Sequence, residues 1–127
     1  MKLGISSYTF TWAVGVPGSF PEKRLTGIEL LYRAREMGVS LVQIADNMPL
    51  HDMSDEQVGR LAELAAELNL EIETGAKELT AANLERYIGY AEKFRSRILR
   101  FVIDAAGYRP SVEEVIAIIK DAEPVLR

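Results

Sequence analysis

Four short apolar runs alternate with four longer stretches of helical period, a pattern that confines the chain to folds built from repeated strand–helix units. The runs predict strands over Lys2–Thr9, Ser40–Asp46, Leu70–Gly75 and Arg97–Asp104, and the periodic stretches predict helices over Thr26–Met37, Ser54–Leu68, Thr80–Arg95 and Ser111–Leu126. Three helices carry their own start signal. Thr26…Glu29, Ser54…Gln57 and Ser111…Glu114 each have the spacing of a capping box, in which a hydroxyl accepts from an orphan N–H and the longer side chain reaches back. Thr80 caps the third helix alone, and Gly38 and Asn69 supply left-handed stops for the first two. The fourth stretch ends in Glu123-Pro124-Val125-Leu126-Arg127 with no closing Gly or Asn, which reads either as a frayed terminus or as a chain cut from something longer.

The faces of the strands decide how these units pack. Leu3 and Ile5 oppose Gly4, Ser6 and Tyr8; Val42 and Ile44 oppose Gln43, Ala45 and Asn47; Leu70 and Ile72 oppose Glu71 and Glu73; Phe101 and Ile103 oppose Arg100, Val102 and Asp104. A doubly wound sheet has helices on both faces and needs strands apolar throughout. Here a second helical layer would bury unpaired charges. Helices therefore cover one face, as in the wall of a β/α barrel. A barrel closes with eight such units in about 250 residues, and this chain of 127 residues holds four. The expected fold class is α/β, a (βα)4 half of a TIM barrel with a parallel sheet in sequential order and helices on one face. Residues 1–127 form a single half-barrel domain, incomplete relative to a full barrel. The competing reading is a flavodoxin-like small-molecule binding domain, which would leave Glu71, Glu73 and Arg100 under helices.

Charge and composition exclude several partners. With 15 Lys+Arg against 19 Asp+Glu and a net charge of −4, the chain lacks the cationic footprint of a nucleic-acid binder. It has no Cys, hence no disulfide framework, thiolate metal site or thiol nucleophile. No stretch approaches the ~20 apolar residues of a membrane span, and Met1–Ser6 runs into strand-like sequence without a signal-peptide core, so a soluble cytoplasmic protein with no membrane or nucleic-acid partner is expected.

Barrel chemistry gathers at the C-terminal ends of the strands. Those ends offer Ser6, Tyr8, Trp12, Asn47, His51, Glu73, Lys77, Arg100 and Asp104, a set suited to one wall of a carbohydrate pocket: aromatic surface for stacking, with amide, carboxylate and cationic groups for hydroxyls. Packing under the long loop Ala13–Lys23 explains Tyr8 and Trp12 equally well. His51 is the only His and cannot by itself make a metal site. Glu73 would serve as a general base if burial raised its pKa, but mutual neutralisation of Glu71, Glu73 and Arg100 inside the barrel is the favoured account. Gly15-Val-Pro-Gly18 lacks the Lys and Ser/Thr of a phosphate loop.

The segments Lys2-Leu-Gly-Ile-Ser-Ser-Tyr-Thr-Phe-Thr-Trp12, Val42-Gln-Ile-Ala-Asp-Asn-Met-Pro-Leu50, Glu73-Thr-Gly75 and Ile98-Leu-Arg-Phe-Val-Ile-Asp104 occur at unit spacing. In that order the chain resembles the N-terminal half of the sugar phosphate isomerase/epimerase family, the xylose-isomerase-like TIM barrels. The resemblance implies a divalent metal and proton transfer between neighbouring carbons of a sugar in the full-length protein, with ligands mainly from the second half of the barrel. For this chain it implies no metal site and no cofactor of its own, no assigned catalytic residue and no activity alone. The family's endonuclease branch takes His ligands from the second and third strands as well. Here those strands end in Asp46-Asn47 and Thr74-Gly75, which disfavours that branch. The free edges of a half-barrel imply a homo-oligomer, a dimer closing the barrel, or pairing with the missing C-terminal half, with a small sugar as ligand.

Overall fold

The structure, a computed structural model, describes residues 1–126. Strands β1 (Gly4–Ser6), β2 (Leu41–Ile44), β3 (Glu71–Lys77) and β4 (Leu99–Val102) form one sheet in the order β1-β2-β3-β4, every neighbouring pair parallel. A short helix α1 (Thr11–Val14) precedes the four long ones, α2 (Gly27–Glu36), α3 (Asp55–Glu67), α4 (Ala81–Phe94) and α5 (Val112–Ala122). The long helices pack in chain order, α2 on α3, α3 on α4 and α4 on α5, so they form one layer on one face. Sequential parallel order is the topology of a barrel wall, and the flavodoxin-like alternative, which interleaves its strands, is not the arrangement seen.

The helix starts follow the sequence closely. Thr26, Ser54 and Ser111 each accept from the backbone N–H three residues on, and Glu29, Gln57 and Glu114 each accept from the cap residue's N–H in return. Thr80 accepts from Asn83 N alone at 3.1 Å. Gly38 and Asn69 take φ of 70° and 53° past the ends of α2 and α3. The stop of α4 falls on Arg95, at φ 51°, a residue whose type gave no warning.

Strand lengths differ more. The predicted first strand stops at Ser6, because the Ser6 hydroxyl accepts from Tyr8 N and the Thr9 hydroxyl from Ser6 N, turning the chain into the 3-10 helix Ser7–Phe10 that runs into α1. The third strand runs two residues beyond Gly75, to Lys77. The last helix ends at Ala122, where Pro124 converts the continuation into a 3-10 turn, Glu123–Val125.

Between sheet and helices lies the core: Ile5, Val42, Ile44, Ile72 and Ala76 from the strands meet Leu30, Leu31, Ala34, Val58, Leu61, Leu64, Tyr87 and Phe94. Gly27 lets α2 approach α3, since a Cβ there would stand 3.0 Å from Leu61 Cδ2. Helix α5, which packs on α4, buries none of its residues, and its Ile116 and Ile119 remain exposed. Among the described residues no helix is long and apolar enough to cross a membrane.

Candidate functional site

The uncovered face of the sheet is built in rows set by the parallel register. Gly4, Leu41 and Glu71 share one row, and Ser6, Gln43 and Glu73 the next. Side chains in the second row bond laterally: Ser6 Oγ donates to Gln43 Oε1 at 3.5 Å, and Gln43 Nε2 donates to Glu73 Oε2 at 3.1 Å. Glu71 pairs with Lys2 near the start of β1. In the row beyond, Arg100 stands beside Gly75, which carries no side chain and lies against Ala45. Arg100 thus reaches across β3 to Asp46, with Nη1 3.6 Å from Oδ1. The expected mutual neutralisation of Glu71, Glu73 and Arg100 is therefore corrected. Each is held by a different partner, because the register puts them in separate rows and lateral neighbours lie closer than rows two residues apart.

Asp46 is the hub at the strand ends. Its Oδ2 accepts from the Tyr8 hydroxyl at 2.9 Å, its side chain is only 12% exposed, and its Oδ1 has no hydrogen-bond partner. Burial, followed by the hydrogen bond to Asp46, pushes the Tyr8 phenol above its ordinary pKa, so Tyr8 keeps its proton and donates it to the carboxylate. Asp46 is not among the residues expected at the site, which include its neighbour Asn47. Its place at a strand end was the available signal.

Asn47 has a structural attachment. The buried Ser7 hydroxyl donates to Asn47 Oδ1 at 2.5 Å and accepts from Ala45 N at 3.0 Å, tying the turn after β1 to the end of β2. Asn47 Nδ2 is buried without a partner. Trp12 does not pack under the loop, as it is 75% exposed, and the residue of that segment that enters the core is Val14. Asp104 is drawn aside by Arg109 at 3.2 Å. His51 and Lys77 border a separate cleft with Glu78, Thr80, Asn83 and Arg86. There His51 Nδ1 lies 2.8 Å from the hydroxyl of fully buried Tyr87, and Nε2 lies 3.6 Å from Asp52.

Of the nine residues expected at the site, Ser6, Tyr8, Glu73 and Arg100 thus share the open face or its rim; Lys77, in register with Val102 and two residues past Gly75, belongs to the same face at the end of β3 and also borders, with His51, the neighbouring cleft. Asp46, Glu73, Asp104 and His51 are each engaged by a different partner, and among the described residues no three of His, Asp and Glu gather within reach of one ion. This donor set does not by itself fit a divalent metal. A larger hollow lined by Ala65, Leu70, Phe94 and Ile98 lies at the opposite, N-terminal end of the strands, away from where barrel chemistry sits.

No family model matches the chain. It is 26% identical over 124 residues to the 3-oxo-isoapionate decarboxylase of Pectobacterium atrosepticum, covering 98% of this chain and 44% of that protein. Its fold matches the crystal structure of a D-psicose 3-epimerase in the presence of D-fructose with a TM-score of 0.70 at 11% identity, covering 99% of this chain and 48% of that one. The chain has the α/β fold of half a TIM barrel and spans about half the length of the two proteins it matches.

Proposed function

We propose that this chain is the N-terminal half of a metal-dependent sugar phosphate isomerase/epimerase-like barrel, inactive alone, which completes its barrel by association with a second copy or with a C-terminal half. The observation that carries the reading is the one-sided sheet: four parallel strands in sequential order, helices on one face, and a polar row from Ser6 through Gln43 to Glu73 on the other. In the completed barrel that row and the Tyr8–Asp46–Arg100 cluster form one wall of the pocket, and the divalent metal is held by residues outside this chain.

Several features support association. Edges β1 and β4 leave backbone groups unpaired, and Leu3, Ile98 and Ile103 are exposed beside them. A two-fold axis along the barrel would set β4 beside the partner's β1 twice and close eight strands. It would also bring Ile116 and Ile119 of α5 against the partner's α2. The test is sedimentation equilibrium with amide exchange. A particle of twice the 14.2 kDa chain mass, with β1 and β4 protected, is the expected result. A monomer at every concentration with both strands exchanging freely overturns self-association. Epimerisation by the chain alone, with metal retained at one per chain, overturns its catalytic incompleteness.

A further inference from the structure

The two free edges of the sheet fit each other in one register. Parallel pairing runs in rows across the strands: Ser6 lies beside Gln43, and Gln43 beside Glu73. Thr74 lies beside Leu99, so one residue earlier the row of Glu73 reaches Ile98. In a closed barrel a row followed around the circumference returns to its first strand displaced by the shear, about eight residues for eight strands. Two copies related by a two-fold axis share that displacement equally, about four residues each. The row that leaves one copy at Ile98 therefore meets the other copy at Lys2 or at Phe10, to either side of Ser6. Phe10 would set β4 against Thr11–Val14, which is the helix α1 and cannot pair as a strand. Lys2 sets Arg100, Phe101 and Val102 beside Gly4, Ile5 and Ser6 of the partner subunit.

Side-chain chemistry selects the same register. A displacement by an odd number of residues would set the polar face of one copy against the helix-covered face of the other. Among even displacements, two would pair β1 with residues 98–100 and six with residues 102–104, whereas four keeps all of Gly4–Ser6 within Leu99–Val102. On the helix-covered side that register joins Leu3 to Leu99 and Ile5 to Phe101, apolar to apolar, and covers Leu3, which is 74% exposed. On the concave side Arg100 stands between two glycines, Gly75 of its own chain and Gly4 of the partner subunit, so its long side chain has room on both flanks. Val102 enters beside Ser6 of the partner subunit and carries the hydrogen-bonded row Ser6–Gln43–Glu73 across the joint.

We propose that the partner completing this half-barrel is a second copy of the chain, docked edge to edge with Phe101 beside Ile5 of the partner subunit at both joints. The inference rests on the half-barrel reading and narrows it. A match between β4 and β1 of one and the same chain is a condition of self-closure, and a separate C-terminal half places no such demand on these two edges.

The chain has no Cys, so introduced thiols report the joint without background. Ser6→Cys and Val102→Cys chains are unfolded in urea, refolded together, oxidised mildly and run on non-reducing gels, beside sedimentation equilibrium of the unaltered chain. Neighbours across paired strands lie ~5 Å apart, within disulfide reach, whereas Ser6 and Arg100, two residues out of register, would lie ~8 Å apart and beyond it. The expected result is a dimer by mass and a covalent dimer from the Ser6→Cys and Val102→Cys mixture. Neither chain alone is expected to link, because like strands of the two copies lie on opposite sides of the barrel, and Ser6→Cys mixed with Arg100→Cys is expected to link little. Leu3→Cys mixed with Leu99→Cys reports the same register from the other face, and it decides if Ser6→Cys or Val102→Cys does not fold. A dimer that links through Ser6 and Arg100, or through neither in-register pair, overturns the proposed joint and leaves self-association standing. A mass that keeps growing with concentration overturns closure at two copies. A monomer at every concentration that links in no mixture overturns the second copy as partner and leaves a C-terminal half to complete the barrel.

Discussion

Replacing Tyr87 by Phe separates two contributions that meet in one side chain. Tyr87 is fully buried on α4, its ring edge-on to Tyr90, Phe101 and His51 at centroid distances of 5.2, 5.9 and 5.7 Å. Phe keeps the ring and its packing, each such pair being worth ~0.5–1.5 kcal/mol beyond area. It loses the hydroxyl bonded to His51 Nδ1 at 2.8 Å. Because the His51 ring is part exposed, water replaces that partner on the imidazole side, and the expected cost at neutral pH is about 1 kcal/mol. The alkaline side behaves oppositely. Burial pushes the Tyr87 phenol from 10.0 up to about 12, against the pull of backbone N–H groups at His51 and Leu50. A folded-state pKa above the unfolded one gives stability that is complete below pH 10 and lost as pH rises towards 12. At ~1.4 kcal/mol per tenfold change in proton affinity, that loss is up to about 3 kcal/mol. Tyr87→Phe has no such group to ionise. Urea unfolding of both chains by circular dichroism, across neutral to strongly alkaline pH, is expected to show the variant less stable at first and more stable by the end. Parallel curves through the alkaline range would refute the reasoning, since every other titrating group is common to both chains.

Ser7→Ala removes a buried hydroxyl that donates to half-buried Asn47 and accepts from buried Ala45 N, leaving both without that partner, and is expected to cost about 2 kcal/mol in denaturant melts. Leu61→Ala empties the place where α3 meets Gly27 of α2 and is expected to destabilise by ~2–5 kcal/mol, read as a lower urea midpoint with little change in slope. The carboxyls of Glu29 and Glu114 are held below their ordinary pKa, first by the backbone N–H groups of Thr26 and Ser111, and Glu29 also by Lys23. Depressed carboxyls stabilise above their unfolded pKa, so acid titration should remove this contribution as pH falls through the lowered folded values. Glu29→Gln and Glu114→Gln together should flatten that part of the acid limb, and an unchanged limb would show that the caps do not act through charge.

The sequence by itself determined the elements and the side of the sheet that meets the helices. Capping boxes at Thr26, Ser54 and Ser111, left-handed stops at Gly38 and Asn69, and the alternation of Ile5, Val42, Ile44 and Ile72 with polar neighbours are local signals, set by hydrogen bonds within one helical turn or by a period of two along one strand. The polar concave face followed from that alternation. Local signals also failed locally: the αL stop at Arg95 and the early turn after Ser6 depend on bonds that residue type alone did not announce. Only the tertiary structure decided which polar groups meet. Glu71 finds Lys2, Glu73 finds Gln43 and Arg100 finds Asp46 because parallel register places strands from distant parts of the chain in rows, and a shift of one residue would exchange every partner. Asp46 was therefore invisible as a hub from its own neighbourhood. Its partners lie far off in the chain, Tyr8 in the turn after β1 and Arg100 in β4, and the parallel packing of the strands brings them together.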